Sequence, residues 1–198
     1  PPCPQIIASM NPMVGTFAQS PFTHEDAYRR WRNWKLAVQP TAPDDLIVEI
    51  GDPFNITESE YVVLLEHLRV ANMAIYSCRR PSDDPAAAVR AVATRFDLDR
   101  VDARLGAEEG GITPLRVTVE DDRGRYIPFT DRPINWHTDG YYNAIDKQVR
   151  AFILYCARDA ESGGENFFMD PEIAYIRLRE ANPDFIVALS HPTVMSIP

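Results

Sequence analysis

Histidine and cysteine are scarce in this 198-residue chain, with four of the first and three of the second. Cys3, Cys78 and Cys156 lie far apart, are odd in number and form no CxxC pair. That pattern excludes a disulfide framework and a cysteine-ligated zinc site, and it fits a reducing compartment. Long apolar runs are missing as well. No stretch approaches the roughly 18 residues that a membrane-spanning helix needs. The opening PPCPQIIASMNPMVG lacks a charged start followed by an apolar core, so no signal peptide is read there and the cytoplasm is the expected location. Positive charge is also in deficit, 20 Lys and Arg against 29 Asp and Glu, a net charge of -9. Phosphate backbones and anionic lipid are bound by clustered Lys and Arg, so neither a nucleic acid nor a membrane is expected as a partner. The densest basic group, Arg29, Arg30, Arg32 and Lys35, is interleaved with Trp31 and Trp34 and reads as the solvated face of an amphipathic helix.

What is present suffices for a folded core: 45% hydrophobic and 10% aromatic residues in a length typical of one domain. There is no internal repeat, low-complexity tract or linker, and the 17 prolines are spread through the loops. Residues 25–38 carry a helical pattern, and DDLIVEI, residues 44–50, reads as a strand. In NITESEYVVLLEHLRVA, Thr57 stands three residues before Glu60, a capping box, and Val63, Leu64, Leu68 and Val70 give the following helix an apolar stripe. NMAIYSC is a second short strand. Asp84 and Pro85 then supply the cap and first position of a helix bearing Val89, Val92 and Phe96. From Pro114 the period changes to two. PLRVTVE alternates Leu115, Val117 and Val119 with polar residues, DDRG follows as a turn, and INWHTD, RAFILYCA and ENFFM are further strand candidates. The predicted class is mainly β with flanking helices (α+β), a sandwich or jelly roll with the helices packed outside.

One segment concentrates chemistry. In NWHTDGYYN, residues 135–143, an extended strand would turn Asn135, His137 and Asp139 to one face and Ile134, Trp136 and Thr138 to the other. An imidazole and a carboxylate two residues apart, joined by a second imidazole, form the facial triad of non-haem Fe(II) oxygenases, which leaves coordination positions open. By itself such a pair is common, and its meaning comes from context. Some twenty residues on, ESGGENFFMDPEIAYIRL offers a Gly163–Gly164 turn, an extended stretch and a helix opened by Asp170 and Pro171.

The two blocks INWHTDGYYN and SGGENFFMDPEIAYIRL, in this order and at this separation, resemble the TauD/TfdA family of Fe(II)- and 2-oxoglutarate-dependent dioxygenases. A weaker likeness runs upstream through ITESEYVVLLEHLRVANMAIYSC, so the resemblance extends from about Asp44 onward. It implies a double-stranded β-helix, or jelly roll, incomplete at its C-terminus. It also implies a single domain over 1–198, with an extension at 1–43, a helix and strand flank at 44–113 and the first part of the barrel core at 114–198. His137 and Asp139 match the family's first two iron ligands. Asn166 stands where many members have a threonine that bonds the 2-oxoglutarate carboxylate. Tyr141, Tyr142 and Asn143 follow the ligands, where they either touch substrate or pack the loop against the barrel rim. The implied reaction consumes dioxygen and 2-oxoglutarate, releases succinate and carbon dioxide, and hydroxylates a small organic substrate. Asp139 in the carboxylate position implies hydroxylation, because a halogenase of this superfamily needs a small residue there.

The family's distal histidine and its 2-oxoglutarate-binding arginine have no counterpart. His191 ends ANPDFIVALSHP, read as a helix started by Asn182 and Pro183, where an imidazole interacts favourably with the helix dipole and needs no metal. No Arg or Lys follows it before Pro198. The chain is therefore expected to stop before the strand carrying those groups, as a fragment or a short form. His24 and His67 precede the barrel, and His67 reads as a surface residue. Two rival readings remain from the residues alone: a cupin-like metal enzyme that uses no 2-oxoglutarate, and a metal-free binding or assembly module. A homo-oligomer is compatible with either.

Overall fold

The computed structural model describes residues 5–9, 24–80, 82–98, 101, 111–118, 122–144 and 147–194. The residues between them, including Cys3, most of the opening segment, Val119, Glu120, Asp121 and Pro198, lie outside the described residues. The chain divides into two compact units, Pro1–Arg95 with Arg150–Pro198, and Phe96–Val149.

The first unit is built on one mixed sheet. Strands β1 (Gln5–Ser9), β2 (Ile47–Ile50), β3 (Met73–Cys78) and β4 (Ala151–Leu154) are ordered β2-β3-β1-β4. β1 runs antiparallel to both β3 and β4, whereas β2 and β3 are parallel. Parallel neighbours need a crossover, and helix α2 (Glu58–Ala71) supplies it. Its start follows from the sequence. Thr57 Oγ1 accepts from Glu60 N at 3.3 Å, and Glu60 Oε2 accepts from Thr57 N at 2.8 Å, so two amides with no partner inside the helix are satisfied reciprocally. The helix ends at Asn72, whose φ of 57° is a left-handed stop. Its expected apolar stripe is narrower than the pattern suggests: Leu64 is fully buried, whereas Val63 is exposed.

β3 forms the middle of the core, with Ala74, Tyr76 and Cys78 buried alternately along it. α2 packs on β3, and the other helices described are α1 (Glu25–Val38), α3 (Pro85–Arg95), α4 (Pro171–Ala181) and α5 (Pro183–Leu189). Each of the last three begins on a proline after a capping residue. Asp84 accepts from Ala87 N, Asp170 from Glu172 N and Asn182 from Asp184 N, each at 2.9 Å. α1 packs Tyr28 and Trp31 on Ile176 of α4. Its basic face is only partly solvated, since Arg29 and Arg30 are exposed but Lys35 is fully buried.

Two expectations about strands are corrected. β1 falls in the presumed extension 1–43, yet it occupies an interior position of the sheet, with the Gln5 side chain donating to Cys156 O at 3.2 Å beyond the ladder. Conversely, the described parts of PLRVTVE, INWHTD and ENFFM are irregular rather than strands. Alternation favours a strand only when one face is buried on a partner; here Leu115 and Val117 stand 53% and 62% exposed. Among the described residues helix outweighs strand and the one sheet has four strands, so the expected mainly β architecture is not met there. Among its described residues the second unit holds 3-10 turns at Asp122–Arg125 and Ile127–Phe129, and Thr118 N donates to Phe129 O at 3.0 Å.

Candidate metal centre

His137 and Asp139 lie in the second unit, on an irregular segment that runs into a turn. The turn needs Gly140, whose φ of 67° is left-handed, and it is closed by Asn143 N donating to Gly140 O at 2.9 Å. Strand alternation therefore does not bring the pair together; local loop geometry does. The closest approach is 3.7 Å, between His137 Nε2 and Asp139 Oδ1, and both side chains are about two-fifths exposed, at 42% and 41%.

Backbone partners decide which imidazole nitrogen can take an ion. A carbonyl can only accept, so the 2.8 Å contact between His137 Nδ1 and Asn135 O places a proton on Nδ1. In the neutral ring Nε2 then keeps its lone pair, turned toward Asp139. Two donors held at about 2.1 Å by one ion stand roughly 3.0–3.5 Å apart for angles from square to tetrahedral. The observed separation of 3.7 Å is about 0.2–0.7 Å wider, so the two groups can serve as two ligands of a divalent cation only after closing by that much.

His191 contrasts with this. It lies beyond α5 and is exposed, and Thr193 N donates to its Nδ1 at 3.2 Å. An amide can only donate, so Nδ1 is the acceptor and a neutral ring carries its proton on Nε2. His67 is half-buried and tied through Nδ1 to Leu46 O at 3.0 Å, a correction to its reading as a plain surface residue. His24 precedes α1 without capping it through its side chain. Among the described residues no group of three or more His, Cys, Asp or Glu is placed to hold a metal.

The remaining expected site residues are distributed as follows. Tyr141 and Tyr142 are about half exposed, with their rings in edge contact at 5.2 Å. Asn143 donates through Nδ2 to Lys147 O at 2.9 Å, so its amide braces the loop. Asn166 belongs to the first unit, on an exposed stretch after Gly163 and Gly164, whose φ values are 71° and 82°. Its Nδ2 donates to Gly164 O at 3.1 Å.

A cluster in the first unit was not legible from the sequence. Lys35, Asp170, Glu172 and Asn72 join α1, the end of α2 and the start of α4 through buried ion pairs and hydrogen bonds. Its one sequence signal is a lysine directly after Trp34 and four residues after Trp31, on the inward side of the helix. At the far end of β3 from Asn72, burial pushes the Cys78 thiol up to about 11, with the Asp52 and Glu60 carboxylates adding to the effect.

Against this geometry the comparisons with known proteins can be set. The family described as taurine catabolism dioxygenase TauD, TfdA family, matches residues 80–197, more than half of the chain. The chain belongs to the TauD/TfdA family. Over 61 residues it is 34% identical to a uridine-5'-phosphate dioxygenase of Amycolatopsis sp, an alignment covering 31% of this chain and 22% of that protein. The chain thus spans under a quarter of that relative's length. No solved structure matches the chain. Among the described residues no helix is long and apolar enough to cross a membrane.

Proposed function

We propose that this chain is part of an Fe(II)- and 2-oxoglutarate-dependent dioxygenase that hydroxylates a small organic substrate. The reading is supported by one observation above the rest: within the family match, the His137 lone pair and the Asp139 carboxylate stand 3.7 Å apart with the ring orientation fixed by Asn135 O. His137 and Asp139 would hold the iron together with a histidine outside this chain. Iron, when bound, supplies dioxygen activation coupled to decarboxylation of 2-oxoglutarate to succinate.

The chain's own residues do the holding and orienting. Asn135 O keeps the His137 proton on Nδ1 and fixes the ring plane. Gly140 allows the chain to turn directly after Asp139, and the Asn143 amide braces that turn on Lys147 O. Tyr141 and Tyr142 present an exposed aromatic edge that suits a flat or apolar substrate group. Asn166, through its amide, would donate to a 2-oxoglutarate carboxylate. The barrel implied by the family, the cytoplasmic location and a soluble small-molecule substrate all belong to this reading. The name of the Amycolatopsis relative makes a nucleoside monophosphate the first substrate class to try.

The test is substrate-coupled succinate release by the complete gene product, supplied with Fe(II), 2-oxoglutarate, dioxygen and a panel of nucleoside monophosphates, sulfonates and amines. Succinate formation that depends on one of these substrates supports the proposal. Metal retention with no consumption of 2-oxoglutarate across the panel would favour a cupin-like enzyme instead.

A further inference from the structure

Lys35 is a lysine with no exposed surface. Its ammonium donates to Val70 O at 2.6 Å and forms ion pairs with Asp170 Oδ2 at 2.6 Å and Glu172 Oε2 at 2.5 Å. The three partners come from two different helix ends. Val70 O lies in the last turn of α2, where carbonyls lack partners inside the helix, and the two carboxylates sit at the start of α4, where the helix dipole favours negative charge. Asp170 is fixed from its other oxygen too, since Oδ1 accepts from Asn72 Nδ2 and from Glu172 N, both at 2.9 Å. α1 is itself held on α4 by the Arg179–Glu25 pair at 2.8 Å, by an Arg32–Glu180 pair and by the contact of Tyr28 and Trp31 with Ile176.

Asp170 closes the exposed stretch that carries Asn166. That stretch has few other ties. Phe167 and Met169 project outward, while Phe168 stacks on Phe152 of β4 with ring centroids 6.3 Å apart. Two anchors therefore set its register on the sheet, an aromatic stack at residue 168 and an ionic knot at residue 170. Only the knot involves α1.

We infer that Lys35 is a positioning residue: the ionic tether from α1 and α2 to Asp170 holds the 165–170 stretch, and with it Asn166, in a fixed place. What the tether serves rests on the reading of Asn166 as a 2-oxoglutarate contact; the tether itself does not.

Two variants of the complete gene product test this, Lys35→Met and the neutral triple variant Lys35→Met, Asp170→Asn, Glu172→Gln. The triple variant leaves no unpaired buried charge and retains an effective cap at position 170, so it keeps the test open if the single variant does not fold. Amide hydrogen exchange is read for peptides over 163–174 against peptides over β3. The expected result is exchange faster by about tenfold or more in 163–174 with β3 unchanged, the mark of a local opening. Titration of the Fe(II) form with 2-oxoglutarate should show a weakened apparent affinity with iron binding retained. Wild-type protection over 163–174 in the triple variant would overturn the tether. Faster exchange with unchanged 2-oxoglutarate affinity would uphold the tether and remove Asn166 from the cosubstrate site.

Discussion

At the scale of single residues, hydrogen-bond direction says more than spacing does. His137 and His191 are both exposed imidazoles, yet the partner of Nδ1 is an acceptor in one and a donor in the other, which gives the neutral rings opposite tautomers. His137→Ala or Asp139→Ala is therefore expected to abolish substrate-coupled succinate release in the complete gene product. Both side chains are well exposed, so the denaturation midpoint should stay close to wild type, a change on the order of 0.5 kcal/mol or less. Coupled turnover surviving in either variant would count against the pair. A second residue-scale case concerns stability alone. The Tyr76 hydroxyl is buried with no hydrogen-bond partner among the described residues, and burial raises its pKa. A buried unsatisfied hydroxyl costs roughly 1–3 kcal/mol, so Tyr76→Phe should leave stability equal or increase it by about 1 kcal/mol in urea unfolding. A clear loss of stability would reveal a partner for that oxygen.

At the scale of elements, the helix starts were legible in the sequence, and β2, β3 and β4 fall within DDLIVEI, NMAIYSC and RAFILYCA, whereas β1 and the irregular course of the described parts of PLRVTVE, INWHTD and ENFFM were not legible. Thr57 with Glu60, Asp84 with Pro85, Asp170 with Pro171 and Asn182 with Pro183 mark helix starts by chemistry confined to four neighbouring residues, and all four start helices. A strand depends on a partner distant in the chain. β1 pairs with residues some seventy and then a hundred and fifty positions away, and nothing inside QIIAS announces either neighbour. The same dependence made INWHTD look like a strand, although no ladder forms there. His137 and Asp139 do approach each other, but through a turn that needs Gly140 and Asn143.

The capping box also makes an element-scale prediction. Burial alone would raise the Glu60 pKa, but hydrogen bonds from Thr57 N, the Thr57 hydroxyl and Gly51 N outweigh it, and the net shift is downward from 4.5. A carboxyl lowered in the folded state stabilises fully above its ordinary pKa and loses that contribution as pH falls through the lowered value. Relative to Glu60→Gln, the wild-type protein should be more stable at pH 7, and the difference should shrink steadily below about pH 4.5. Thermal midpoints of both proteins from pH 3 to 7 check this. An offset constant with pH would mean that the carboxylate charge is not what caps the helix.

At the scale of the whole molecule, family membership and local geometry contribute different things. The match over residues 80–197 identifies the family, while the proposed iron site rests on the orientation of one imidazole against one carboxylate. The most direct measurement is anaerobic addition of Fe(II) and then 2-oxoglutarate to the complete gene product, followed by visible charge-transfer absorption. The wild-type protein is expected to develop the band and both His137→Ala and Asp139→Ala to lack it, with folding unchanged. A band of wild-type strength in either variant would contradict the assignment of these two residues as iron ligands.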